Sequence, residues 1–298
     1  METSSRIVIN IEAFINAPVE KVWIFRTEPK YIIHWNNASD DWHTPGAEND
    51  LRTGGKFLFR MEAKDGSSGF DFTGEYTNVE KYRLIEYVLD DGRRVKTSFT
   101  SDGKVTRVAE AFEAESLNPV ELQRTGWQAI LDNFKNFVES PEKPGVMHCE
   151  INIGAKAEKV YKTMLAEKTY AEWTSVFDPS SHFKGSWDKG SKIFFIGSGK
   201  DGSVAGMVSR IKENVPYRFV SIEHLGLIEN SLEIYSGENA EKWAGALENY
   251  TFIDNNGTTL LEVDLDVDND YRSYFDTTWP EALKNLKEIC ERTDKENE

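Results

Sequence analysis

The sequence predicts an α+β protein built twice over: two domains, each a curved antiparallel sheet wrapped around a long C-terminal helix, with two short helices after the first strand. Three observations carry this expectation. Shifting the chain by 138 positions lays residues 12–35 on residues 150–173 without a gap, and eight of those 24 positions are identical, among them Ile15/Ile153, Ala17/Ala155, Glu20-Lys21-Val22/Glu158-Lys159-Val160 and Trp35/Trp173. Asp-Gly pairs at 65–66, 91–92 and 102–103 separate alternating runs, the signature of antiparallel hairpins. Residues 119–139 place Val120, Trp127, Ile130, Leu131, Phe134, Phe137 and Val138 at spacings of three and four, which makes one apolar helix face.

The elements of the first half follow in order. Residues 7–12 alternate and are rich in β-branched side chains, as a half-buried strand requires. Asn16-Ala17-Pro18 opens a helix, with Asn16 as its cap and Pro18 in the first turn, and Pro29 ends or breaks it. Residues 36–50 read as a polar loop. Strands follow at Lys56–Ala63, 70–79, 84–90, 94–100 and 105–114, and Asn118-Pro119 starts the last helix. The second half repeats the order: Gly54-Gly55-Lys56-Phe57 answers Gly190-Ser191-Lys192-Ile193, Tyr82-Arg83-Leu84 answers Tyr217-Arg218-Phe219, and Trp127 answers Trp279. A period of this size is a domain and not a solenoid repeat. The Pro- and Gly-containing segment Ser140-Pro141-Glu142-Lys143-Pro144-Gly145 sets the boundaries: domain 1–140, linker 141–146 and domain 147–298. So short a linker keeps the halves together and suggests an intrachain pseudo-dimer, with association between chains left open.

Composition narrows the function. The 298 residues carry 35 Lys plus Arg against 51 Asp plus Glu, a formal charge of −16 that disfavours nucleic acid and anionic membrane surfaces. Apolar runs are too short for membrane insertion, and the first six residues lack the basic start and apolar stretch of a signal peptide. Cys149 and Cys290 form no disulfide framework, so a cytoplasmic protein with reduced thiols is expected. The polar tail 294–298 is expected to fray.

Certain residues carry a family resemblance. Ile15-Asn16-Ala17-Pro18-Val19-Glu20-Lys21-Val22-Trp23, Trp35, Asp50-Leu51-Arg52-Thr53-Gly54-Gly55-Lys56-Phe57, Asp65-Gly66 and Gly74-Glu75-Tyr76 resemble the START-related (SRPBCC, helix-grip) superfamily. Within it they are most similar to the family named for homologues of the activator of the heat-shock-protein ATPase. The first half matches over nearly its full length. The second departs at Lys156, at Gly206-Met207-Val208, and in an extra stretch at 237–243. The resemblance implies a helix-grip fold in both halves, a cavity for a hydrophobic small molecule or lipid, and no catalytic constellation common to all members.

Strand parity and helix spacing name the side chains expected to line the two cavities. They are Trp35, Phe57, Phe59, Met61, Phe72, Tyr76, Trp127 and Leu131 in the first half, and Trp173, Phe195, Met207, Trp279 and Leu283 in the second. His43 and His182 follow the equivalent tryptophans in loops expected to rim the cavities. With Glu75 they are the candidates for acid–base chemistry of a cyclase or hydratase kind. Metal-ligand spacings, phosphate loops and nucleophile elbows are absent from the sequence, so no metal and no cofactor are expected. A third reading is an interaction or stress-response module, with the 237–243 stretch as a contact surface and no ligand. Its altered central strand and this insertion suggest that the second domain is mainly structural.

Overall fold

The computed structural model of the chain describes residues 6–199 and 202–292, so residues 1–5 and the tail 293–298 lie outside it. The chain divides between Ser140 and Pro141 into two compact units.

The first unit runs β1 (Val8–Ile15), α1 (Val19–Thr27), α2 (Pro29–Trp35), β2 (Trp42–Asn49), β3 (Lys56–Ala63), β4 (Gly69–Glu80), β5 (Leu84–Leu89), β6 (Arg94–Ser101), β7 (Thr106–Glu113) and α3 (Val120–Glu139). Its antiparallel sheet has the order β1-β7-β6-β5-β4-β3-β2. The turns around Gly66, Gly92 and Gly103 all need positive φ, which glycine adopts without a Cβ clash and which fixes each hairpin. Alternate β1 residues Ile9, Ile11, Ala13 and Ile15 face inward, and α3 buries Leu131, Phe134, Phe137 and Val138 against that side.

Two local expectations are corrected. Pro18, and not Asn16, occupies the N-cap of α1 in extended conformation, without a side-chain cap; Asn16 instead gives its backbone N–H to Glu139 Oε1 at 2.7 Å. The residue before a proline is driven to extended φ/ψ, so α1 stops at Glu28 and Pro29 opens α2. The segment expected as a polar loop holds β2, which pairs with β3 from Trp42↔Ala63 to Asn49↔Phe57 across a bulge between His43 and Gly46. It shows no alternation because it is the sheet's edge strand, where Pro45 is tolerated.

The second unit runs β8 (Val146–Ile153), α4 (Ala157–Leu165), α5 (Glu167–Trp173), a 3₁₀ turn (Thr174–Val176), β9 (His182–Gly185), β10 (Lys192–Ser198), β11 (Val204–Val215), β12 (Phe219–Glu229), β13 (Leu232–Ile234), α6 (Glu238–Glu241), β14 (Leu247–Asn255), β15 (Thr258–Asp266) and α7 (Asn269–Glu291). Its first strand begins at Val146, inside the segment read as linker. The sheet order β8-β15-β14-β12-β11-β10-β9 repeats that of the first unit, with β13 added beside β12.

The duplication is visible in matched hydrogen bonds. Thr106 Oγ1 donates to the Ala17 carbonyl and Thr259 Oγ1 to the Ala155 carbonyl, both at 2.7 Å. Trp35 Nε1 donates to the Phe25 carbonyl at 3.0 Å, and the equivalent Trp173 Nε1 donates to the carbonyl of Met164, one position further along its helix, at 3.1 Å. Tyr82 and Tyr217 share an unfavourable positive φ of 66° and 67°. Each is held by an edge-on ring, Trp23 at 5.7 Å and Tyr161 at 5.3 Å.

Candidate functional site

Each unit encloses a cavity between its sheet and its last helix. The first measures about 310 Å³. Phe57, Phe59 and Met61 enter it from β3, Phe70, Phe72 and Tyr76 from β4, Tyr87 from β5, Trp35 from α2, and Gln123, Trp127 and Ile130 from α3. Two-residue periodicity puts each strand's contributors on one face. Trp127 ties helix to sheet: its ring stacks on Phe112 at 4.0 Å with 13° between planes, and meets Phe72 edge-on at 5.9 Å.

A charged pair interrupts these aromatic walls. Arg26, on α1, gives Nη2 to the carboxylate of Glu110, which faces inward on β7 between Val108 and Phe112. The pair is sequestered, with side-chain exposures of 14% and 3%. The guanidinium lies over the Trp35 ring at 4.8 Å and the Phe134 ring at 5.2 Å. Arg26 Nη1 is buried with no hydrogen-bond partner. Nearby, Tyr76 donates its hydroxyl to Asn49 Oδ1 at 2.7 Å, and Asn49 Nδ2 donates to the Thr27 carbonyl at 2.6 Å. Burial pushes the Tyr76 phenol well above its ordinary range; it does the same for Tyr87, reinforced by the Glu110 charge. Both phenols are therefore neutral donors at physiological pH.

The second cavity measures about 370 Å³. Trp173, Phe195, Met207 and Trp279 line it with Tyr170, Trp187, Tyr250 and Phe275, and His224 and Glu248 supply polar groups. The second unit, expected to be mainly structural, thus also has a cavity of its own. The 237–243 stretch, expected as a contact surface, places Trp243 in the cavity wall, 5.1 Å from the Tyr271 ring and 6.3 Å from Phe275.

Several expected site residues lie elsewhere. Leu131 and Leu283 are absent from the cavity linings and buried in the cores, each 1% exposed. An apolar helix stripe is wider than one contact line, and these leucines occupy its side away from the cavity. Glu75 is exposed, because its neighbour Tyr76 points inward and strand parity turns Glu75 out. His43 sits on β2 outside the cavity, 3.9 Å from Glu62 with its side chain 43% exposed. His182 opens β9, exposed, with Nδ1 2.9 Å from the Ser180 carbonyl oxygen. None of the three residues named for acid–base chemistry lines either cavity. Sequence reasoning missed Arg26, Glu110, His224 and Glu248. Glu110 could have been found as a charged residue at an inward position of an otherwise apolar alternation. Among the described residues, no three His, Cys, Asp or Glu side chains gather as a metal site would require, and no helix is long and apolar enough to cross a membrane.

The profile of the activator of Hsp90 ATPase homolog 1-like family matches residues 16–139. The AHSA1-like protein of Aeromonas hydrophila, solved in solution, is 49% identical, with a TM-score of 0.43 over 45% of this chain and 92% of its own. Chr148 of Cytophaga hutchinsonii is also 49% identical, at a TM-score of 0.41 over 44% of this chain and 91% of its own. The di-domain ARO/CYC BexL of the BE-7585A biosynthetic pathway is 13% identical, with a TM-score of 0.39 over 96% of this chain and 99% of its own. Among curated proteins no match is found. The chain belongs to the activator of Hsp90 ATPase homolog 1-like family, as two tandem helix-grip domains of a fold that commonly holds hydrophobic ligands.

Proposed function

We propose that the first unit binds a flat, largely apolar small molecule carrying one hydrogen-bond acceptor, such as an aromatic ketone. The single observation that carries this reading is Arg26 Nη1, a buried charged donor with no partner, on a residue that lines a cavity walled by aromatic rings. Leaving such a donor unpaired costs about 1–3 kcal/mol, a penalty that a ligand carbonyl removes on binding. Glu110 already balances the guanidinium charge, which favours a neutral acceptor over a carboxylate. Rigid rings and a volume of about 310 Å³ favour a compact planar molecule over a long acyl chain.

The test is a pair of probes that differ only in the acceptor, 9-fluorenone and fluorene, titrated into the full chain and followed by quenching of tryptophan fluorescence. Fluorenone is expected to bind at least tenfold more tightly, and Arg26→Met to erase the difference. Equal affinities in the unaltered chain would refute the reading.

A further inference from the structure

The two cavities are not copies of one another. In the gapless overlay Arg26 falls on Met164, and the Thr106/Thr259 correspondence puts Val263 where the first unit has Glu110. The first unit's ion pair is therefore replaced by two apolar side chains. Polarity reappears on β12 and β14, where matching strand registers, Tyr87↔Val95 and Ile222↔Glu248, set Glu248 at the place of buried Val95. His224 stands where the first unit has Leu89. The polar centre has moved from the first helix and β7 to the central strands β12 and β14.

There His224 Nδ1 lies 2.9 Å from Ser209 Oγ, both groups buried. The Tyr250 hydroxyl donates to Glu248 Oε1. These outer contacts orient the two groups and leave His224 Nε2 facing Glu248 Oε2 at 3.6 Å, with side-chain exposures of 9% and 18%. That gap is too long for a hydrogen bond. In the tautomer in which the Ser209 hydroxyl donates to Nδ1, Nε2 carries the ring proton, and a donor and an acceptor stand side by side on the cavity wall. Two more donors, Trp187 Nε1 and Trp279 Nε1, are buried without partners among residues lining the same cavity.

We propose that the second cavity is a separate binding site for a hydroxylated aromatic molecule, one hydroxyl of which accepts from His224 Nε2 and donates to Glu248 Oε2. A hydroxyl is the smallest group that satisfies both atoms at once. A carboxylate would confront the Glu248 charge, and an ether would leave Oε2 unpaired. None of the residues that carry the reading of the first cavity takes part.

The experiment compares 7-hydroxycoumarin with 7-methoxycoumarin, titrated into the full chain and followed by probe fluorescence. The hydroxyl compound is expected to bind at least tenfold more tightly. Glu248→Gln, similar in size but uncharged, is expected to weaken the hydroxyl compound about tenfold and leave the methoxy compound within twofold. Equal affinities of the two probes in the unaltered chain, or an unchanged preference in a folded Glu248→Gln chain, would overturn the proposal. If Glu248→Gln lowers the melting temperature so far that the second unit unfolds, the comparison of the two probes in the unaltered chain decides alone. The fluorenone test reads Arg26 and this one reads Glu248, so either can fail without the other.

Discussion

Arg26 and Glu110, 84 residues apart in sequence, form an ion pair inside the first cavity, and only one of the two terminal guanidinium nitrogens is used. Removing one partner leaves a buried charge uncompensated. Glu110→Leu alone is therefore expected to lower the stability of the first unit by about 3–5 kcal/mol in urea unfolding. The double change Arg26→Met with Glu110→Val, which copies the residues at the matching positions of the second unit, should recover most of that loss while fluorenone selectivity stays absent. A single variant as stable as the original chain would contradict the pair's structural role.

Leu131 and Trp127 separate core from cavity. Leu131→Ala should cost about 2–5 kcal/mol of stability, because the site is close-packed, and leave ligand affinity within threefold. Trp127→Leu should weaken ligand binding at least tenfold, since its ring walls the cavity and stacks on Phe112. Paired melting and binding measurements on both variants check this; equal losses of affinity would mean that the leucine also reaches the ligand.

Gly206 lets β10 and β11 approach. A Cβ placed there would stand 2.0 Å from the Phe195 carbonyl oxygen, on a paired strand that also forms the second cavity. Gly206→Ala is expected to destabilise the second unit by about 3 kcal/mol and to abolish the hydroxycoumarin preference. Fluorenone binding by the first unit should persist. Calorimetry with the two probes would show whether the damage stays confined.

Burial raises both thiols of the second unit, Cys149 and Cys290, from 9.0 to about 11. Between those values the unfolded chain loses its thiol protons while the folded chain keeps them. The stabilisation is therefore complete below pH 9 and falls away as pH rises through about 11. At pH 8, iodoacetamide should label the native chain far more slowly than the urea-unfolded chain. Equal rates would show that the thiols are open to solvent.

Much of this fold was legible because its periods are short and its turns explicit. Strand parity alone puts Phe57, Phe59 and Met61 on one face, and Asp-Gly pairs mark the hairpins. The edge strand Trp42–Asn49 was not legible, since an edge has no second neighbour to impose alternation, and Thr44-Pro45-Gly46 reads as a turn. Helix spacing identified the apolar stripe of α3 without telling Ile130, which faces the cavity, from Leu131, which does not. The charged centres stayed hidden for a different reason. Arg26 and Glu110, or His224 and Glu248, lie apart in the chain, and only the folded sheet brings them together.

The swapped polarity of the two interiors bears on how the gene can change. Because each charged centre is spelled by its own half of the coding sequence, mutation can retune one chamber without editing the other. Both chambers are nevertheless always made in equal numbers, since one message encodes the two.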